Sequence, residues 1–145
     1  MGLYNIFNVA GSSMSAQSVR LNTIASNLSN ADVVSGSAES IYRARQPVFA
    51  AVMNAVNGAV PTADPTANAA AAVKVTAIVE NAAPGSKVYQ PSHPQADANG
   101  YIYRSNVNTI EEMANMMSAS RSYQNSVEVF NTSKQLLLKT LNLGK

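Results

Sequence analysis

The feature that most constrains the fold is a long C-terminal segment, residues 108–142, which contains neither glycine nor proline. Apolar side chains recur along it at alternating intervals of four and three residues, the heptad spacing of a helix that packs lengthwise against another helix. A helix of this length extends for about 50 Å, at roughly 1.5 Å per residue. Because the whole chain has only 145 residues, the remainder cannot enclose such a helix. The segment therefore predicts a helix that requires a partner along its length.

The first 30 residues repeat the same spacing. Two heptad segments, one at each end of the chain, predict two helices that pair as an antiparallel coiled coil. Two amphipathic helices lying on an ordinary core are the alternative, since so few heptads do not separate the two arrangements. Gln17 interrupts the first apolar row and Lys134 the second, and a lysine at such a position favours a particular register or partner, or reaches to the edge of the pair. We define the predicted seam as the apolar positions of both rows: Leu3, Phe7, Met14, Leu21, Ile24, Leu28, Met116, Tyr123, Val127, Phe130, Leu137 and Leu141.

The predicted N-terminal helix has an unusual polar face. Arg20 is the only charged residue in positions 1–30, and asparagine, serine, threonine and glutamine fill the other polar positions. Asparagine, serine and threonine bond to their own backbone and weaken an isolated helix, as does Gly11, by up to ~1 kcal/mol. Short uncharged side chains suit packing against neighbours on several sides, where long charged ones would lose their hydration. We therefore expect this helix to form fully only on assembly.

The composition of the whole chain argues against several classes of protein. Charged residues make up 12% of the chain, the net charge is +2, and no basic run would follow a phosphate backbone, so nucleic-acid binding is not expected. The absence of cysteine excludes disulfides and cysteine-ligated metals. No apolar run approaches the ~20 residues of a membrane span. A basic region followed by an apolar block is also missing, so any export is expected without a cleaved signal peptide.

The middle of the chain predicts short strands. Residues 73–80 alternate apolar and polar side chains and give the clearest strand, while residues 41–53 are rich in β-branched and aromatic side chains. Pro47 makes that second segment an edge strand or a break. Shorter extended pieces are predicted at 88–89 and 101–103, and a low-complexity, alanine-rich loop at about 54–72.

Together these segments predict an α+β fold. Residues 1–30 and 107–145 form the predicted helical coiled-coil domain, and residues 31–106 form a β-rich insert of three to five strands.

No arrangement of side chains in the sequence indicates catalysis. His93 is the only histidine, and it lies between two prolines near Asp97, with no strand–turn–helix motif around a serine. Glu111 and Glu112 are adjacent, so on a helix they point in different directions and compensate the helix dipole rather than form an acid–base pair. We expect no enzyme activity, cofactor, metal or small-molecule substrate. A small hydrolase that uses His93 is one rival hypothesis, and a soluble adaptor or chaperone-like module with a methionine-rich groove is another.

Three stretches carry a family resemblance. Residues 25–32, ASNLSNAD, resemble the N-terminal signature of bacterial flagellar rod and hook proteins through Asn27, Leu28 and Asn30. Tyr42 and Arg43 stand where that family carries a tyrosine followed by a basic residue. Residues 91–108 and 117–145 are similar to the end of the proximal rod proteins in that family.

The resemblance implies a structural subunit of the flagellar basal body. It implies terminal helices in a coiled-coil domain that lines the inner tube of the proximal rod, with the insert outside them. It also implies helical assembly with copies of itself, with other proximal and distal rod subunits and with a basal-body adaptor, in a drive shaft that spans the periplasm and transmits motor torque. Export through the flagellar type III apparatus, uncleaved and largely unfolded, is implied as well.

Overall fold

The computed structural model describes residues 3–53 and 71–143, and contains two long helices and five strands. The helices are α1, Leu3–Ser29, and α2, Thr109–Leu143. The strands are β1 Val34–Ser35, β2 Arg45–Met53, β3 Ala71–Glu80, β4 Ser86–Tyr89 and β5 Tyr101–Arg104. The predicted α+β class and both predicted helices are confirmed.

Asparagine side chains set one end of each helix. At the start of α2, Asn108 Oδ1 accepts hydrogen bonds from the backbone N–H groups of Ile110 at 3.1 Å and Glu111 at 3.4 Å, which makes Asn108 the N-cap. At the end of α1, Asn30 donates to the Ser26 carbonyl both from its backbone N–H, at 3.2 Å, and from its side-chain Nδ2, at 2.8 Å. The second asparagine of the family signature therefore closes the last turn of α1.

The contacts between α1 and α2 run in reversed order along the two helices. The rings of Phe7 and Phe130 meet edge to face with their centroids 5.0 Å apart. Further along α1, the hydroxyl oxygens of Ser13 and Ser126 lie 2.9 Å apart. Still further, Arg20 Nη2 donates to the side-chain oxygen of Asn115 at 3.3 Å. Whether the pair adopts coiled-coil geometry, and whether residues 31–106 form a separate insert, stay predictions.

The side chains buried on the inner face of α2 are mostly small. Ala119 is fully buried and Ser133 nearly so, and the half-buried Ser126 lies midway between them in sequence. Seven-residue intervals place all three on one face of the helix. Because small side chains let helix axes approach more closely than large ones do, this face lies inward although it is not the apolar row that the sequence emphasises.

The strands form two separate antiparallel sheets. One has the order β1-β5-β4, and the other is the β2–β3 pair, whose register runs from Arg45 opposite Glu80 to Met53 opposite Ala71. Pro47 lies in β2, which pairs on one side only, so the edge-strand prediction is confirmed. The loop predicted at 54–72 lies mostly outside the described residues, but its last two residues were wrongly included. Ala71 and Ala72 belong to β3, because pairing with β2 outweighs the weak strand propensity of alanine.

Helix α1 contacts the β2–β3 sheet as well as α2. The Ser12 hydroxyl, part-way along α1, accepts a hydrogen bond of 3.1 Å from the backbone N–H of Val73 in β3. The β2 strand joins the C-terminal end of α1 through the contacts described next. The position of α1 between α2 and a sheet accounts for its uncharged side chains, since long charged ones would be desolvated there.

Candidate functional site: the helix–sheet junction and the exposed helix faces

The Asn27 side chain is fully buried and bonds to three groups at the end of α1. Its Nδ2 donates to the backbone carbonyl of Arg45 at 2.8 Å, and its Oδ1 accepts from the backbone N–H of the same residue at 2.9 Å. The Tyr42 hydroxyl donates to that Oδ1 at 2.9 Å. An asparagine amide carries both a donor and an acceptor, so it can pair with one backbone residue as a neighbouring strand would. Asn27 thereby joins the end of α1 to the first residue of β2.

Tyr42 and Arg45 extend this junction outward. The hydroxyl oxygen of Tyr42 also lies 3.3 Å from Ser26 Oγ, and the Arg45 guanidinium stands 5.6 Å above the Tyr42 ring centroid. Arg45 forms an ion pair of 3.0 Å with Glu80, its opposite residue on β3. Both of those side chains are about half exposed, so the pair contributes at most ~1 kcal/mol. The buried amide of Asn27 is therefore the stronger connection.

Asn106 makes a second connection, just before α2 begins. Its Oδ1 accepts a hydrogen bond of 2.7 Å from the backbone N–H of Ala44, and its Nδ2 donates to the carbonyl oxygens of Asn81 and Ala83 at 3.2 and 2.8 Å. In the sequence, Asn106 stands just before the predicted C-terminal helix, and nothing in its neighbourhood signals this role. Two neighbouring residues, Ala44 and Arg45, are thus bonded by one asparagine near the end of α1 and by another just before the start of α2.

The remaining residues of the family signature occupy different environments. Asn30 closes α1, as described above. Leu28 and Arg43 are half-buried. No described hydrogen bond or ion pair involves the Arg43 side chain, so its proposed importance stays a prediction.

The predicted seam divides into a covered and an uncovered part. Ile24 is buried, and Phe7 contacts Phe130. Tyr123 and Leu137 are each 37% exposed, and Leu141 is 62% exposed. The half-buried members are Phe7, Met14, Leu21, Leu28, Met116, Val127 and Phe130. The Leu3 side chain lies outside the described side chains, and the role of the seam in assembly stays a prediction.

The second half of α2 presents further exposed apolar side chains. Val129, Leu136 and Leu138 are each about half exposed, next to Leu137 and Leu141. Since Phe7 lies one turn from the described start of α1 and its partner Phe130 lies more than three turns from the end of α2, α2 continues well past α1. Exposed apolar side chains that are concentrated on one part of a helix are typical of an interaction site. We call these five residues the apolar end of α2.

The loop around His93 has the contacts of a turn. His93 Nδ1 accepts a hydrogen bond of 3.2 Å from the backbone N–H of Gln95. Asp97 Oδ1 accepts from the backbone N–H groups of Tyr101 at 2.9 Å and Asn99 at 2.8 Å, and the bond from Tyr101 is the largest cause of an Asp97 pKa below its usual value. Among the described residues, no three histidine, cysteine or acidic side chains gather where they could hold a metal ion. Neither described helix is long and apolar enough to cross a membrane.

Comparison with known proteins identifies the family. A family model described as "Flagella basal body rod protein" matches residues 7–36, and one described as "Flagellar basal body rod FlgEFG protein C-terminal" matches residues 98–143. The flagellar basal-body rod protein FlgC of Escherichia coli is 51% identical over 145 residues, the full length of both chains. FlgC of Salmonella typhimurium is 50% identical over 145 residues, again the whole of both chains. FlgC of Buchnera aphidicola subsp. Baizongia pistaciae is 33% identical over 148 aligned positions that also cover both chains completely. The resemblance carried by the ASNLSNAD stretch and the C-terminal segment is thus confirmed, and the chain belongs to the FlgC family of flagellar basal-body rod proteins.

Proposed function

We propose that this chain is a structural subunit of the proximal rod in the flagellar basal body, where copies of it assemble helically with other rod proteins. The observation that carries the proposal is the apolar end of α2, whose side chains are 37–62% exposed. Burial of apolar surface drives most protein association, at roughly 25 cal/mol per Å². Exposed apolar side chains on a helix that extends past its partner are suited to packing against neighbouring subunits along an axis.

The helix–sheet junction supports a role in transmitting torque. In this proposal α1 and α2 pair as an antiparallel coiled coil on the inside of the rod, and the sheets lie outside it. Load on the helices reaches β2 through Asn27 from α1 and reaches the residue before β2 through Asn106. Because these contacts are hydrogen bonds from short side chains with few rotatable bonds, they resist displacement better than long exposed ion pairs do. No reactive group is needed for this function.

The composition of the chain supports export and late folding. The buried core of the described residues consists mainly of alanine and isoleucine, with no large aromatic side chain fully buried. A core with so little apolar surface stabilises an isolated chain weakly. We propose passage through the flagellar type III apparatus in a largely unfolded state, followed by ordering during assembly in a rod that spans the periplasm. Other proximal and distal rod subunits and a basal-body adaptor are the proposed partners.

The direct test replaces Leu137 with aspartate in a strain in which this chain is the only rod subunit of its kind. Leu137→Asp places a charge in the apolar end of α2 and is expected to abolish swimming and intact hook–basal bodies at unchanged expression. Gln135→Asp is the matched control, because Gln135 is exposed on the same helix but is already polar. Leu21→Asp should behave like Leu137→Asp, since it charges the corresponding row of α1. Normal motility with either leucine variant would contradict the proposal.

An adaptor function is the second candidate, and one observation favours it. Met113 and Met117 are 51% and 70% exposed near the start of α2 and present an adaptable apolar surface. An adaptor would remain a folded monomer or a small closed oligomer. Sedimentation velocity over a concentration series separates the two functions, since rod subunits should form open-ended larger species as their helicity rises.

A further inference from the structure

The Glu112 carboxyl group is buried without a bonding partner. The residue is only 6% exposed, whereas its neighbour Glu111 is exposed. Its Oε2 atom is closed to solvent, and no group in the described part of the chain donates a hydrogen bond to it. A buried carboxylate normally has a cationic or hydrogen-bonding partner, because a charge that has lost its hydration without gaining such a partner destabilises the fold. Compensation of the helix dipole, predicted from the sequence, does not require such burial.

Glu112 lines a cavity of about 410 Å³ where α1, β2 and α2 meet. Three apolar side chains, Ile24, Pro47 and Phe49, form part of the cavity wall. Glu111 contributes a second carboxyl group. A mostly polar cavity that has both an apolar wall segment and carboxyl groups suits a side chain with a methylene stem and a positively charged end, since both parts then find a matching environment.

The two arginines that line the same cavity are already bonded elsewhere. Arg20 Nη2 donates to Asn115 Oδ1 at 3.3 Å, and Arg45 is paired with Glu80 at 3.0 Å. Across residues 3–53 and 71–143, neither arginine forms an ion pair with Glu112. The cavity therefore holds a buried carboxyl group that forms an ion pair with neither of the two arginines beside it.

The charge distribution along α2 points to the source of the missing cation. Glu111 and Glu112 lie in its first turn, whereas Arg121, Lys134 and Lys139 follow further along and are exposed. These three cations make no ion pair with any other described residue. When a second copy lies alongside with an axial offset, its basic residues come level with the acidic start of the first α2.

We propose that the cavity beside Glu112 binds a lysine or arginine side chain from a second copy of this chain. The proposal rests on the proposed function in requiring that copies pack together. Within an assembly it explains how a buried carboxylate gains its partner, because the cavity becomes occupied only when subunits meet. Association then depends on a single carboxylate, that of Glu112, which is buried in the unassembled chain.

The test measures self-association of the full chain by sedimentation velocity, comparing Glu112→Gln with the matched control Glu111→Gln. We expect Glu112→Gln to weaken association at least tenfold and Glu111→Gln to change it less than twofold. Circular dichroism at the same concentrations checks that the helicity of each variant is kept. Equal effects of the two substitutions would overturn the site. So would a Glu112→Gln chain that associates as strongly as wild type.

A second readout uses the wild-type chain and does not depend on the folding of a variant. n-Propylguanidinium and n-butylammonium reproduce the side-chain ends of arginine and lysine, and sodium chloride at equal ionic strength is the control. The cation that matches the true partner should reduce wild-type association several-fold beyond the salt control. No reduction by either compound would overturn the proposal. A wild-type chain that stays monomeric at all concentrations counts against assembly itself. If the wild-type chain associates but neither compound nor Glu112→Gln weakens the association, only the site beside Glu112 is contradicted.

Discussion

Replacing Asn27 with leucine should destabilise the fold strongly, although the two side chains are similar in size. Asn27→Leu removes the donor and the acceptor that pair with the backbone of Arg45. Tyr42 loses one acceptor but keeps Ser26 Oγ within 3.3 Å. The substitution therefore leaves two backbone groups unpaired at a fully buried side chain.

The magnitude follows from those two groups. Each unsatisfied buried backbone group costs about 1–3 kcal/mol, so the two groups together should lower the free energy of unfolding of Asn27→Leu by roughly 2–6 kcal/mol. This is a large part of the ~5–15 kcal/mol that stabilises a typical domain. The added apolar contacts of leucine offset only part of the loss, because the site is lined by backbone polar groups.

Urea unfolding followed by circular dichroism measures the effect, with all variants at one fixed protein concentration. Asn22→Leu is the matched control, because Asn22 is exposed on the same helix, and surface substitutions usually change stability by less than ~0.5 kcal/mol. If the two variants lost the same small amount of stability, the Asn27 amide would not be the connection between α1 and β2, and the reasoning would be refuted.

Asn27→Asp adds a test of which atom matters. The introduced carboxylate keeps the acceptor but places a second oxygen against the Arg45 carbonyl, where Nδ2 now donates at 2.8 Å. Burial and this contact raise the folded-state pKa of the introduced group above its unfolded value of ~3.9. The protonated aspartic acid therefore stabilises the Asn27→Asp variant fully below about pH 4, and this stability is lost as the pH rises through the folded-state pKa. A stability difference from wild type that did not grow between pH 3 and pH 7 would contradict this geometry.

Two further predictions concern single polar groups. Gln17 Oε1 is buried without a hydrogen-bond partner among the described residues. Gln17→Met should therefore raise the free energy of unfolding by about 1 kcal/mol, as urea unfolding would show. A urea midpoint below that of wild type would mean that the amide has a role in the fold. Asp97 has a lowered folded-state pKa, caused mainly by the hydrogen bond from Tyr101, so its contribution is present above the usual pKa of aspartate and is lost as the pH falls through the lowered value. Asp97→Asn should consequently be less stable than wild type at pH 6, with the gap closing towards pH 2, as thermal unfolding at both pH values would show.

The helices could be predicted from the sequence because their signals are local. Residues 108–142 contain no helix-breaking residue, and from Met116 to Leu141 they keep the heptad spacing for about seven turns. The strand β3 was predicted for the same reason, since alternation of side chains is visible in one short window. The strand β1 could not be predicted, because two residues are too few to show an alternation of side chains.

The junction and the buried face of α2 depended on distant contacts that leave no local pattern. Asn27 was identified through a family resemblance, yet its three bonds join residues 15 and 18 positions apart. Asn106 bonds across 62 positions. Ala119 and Ser133 lie inward because of what packs against them, whereas the spacing emphasised the larger Tyr123 and Leu137, which are partly exposed. Alanine and serine carry too little hydrophobicity to reveal which face of a helix is covered.

The row of small residues on α2 affects how firmly the axial alignment of α1 against α2 is fixed. Because Ala119, Ser126 and Ser133 recur every seven residues, these three side chains alone would hardly distinguish the observed alignment from one displaced by a heptad, about 10 Å along the axis. Larger side chains make that distinction, among them the Phe7–Phe130 ring pair and the Arg20–Asn115 bond. The axial position of α1 along α2 is therefore set by a few specific contacts, such as those of the aromatic rings and the arginine, and not by the row of small residues.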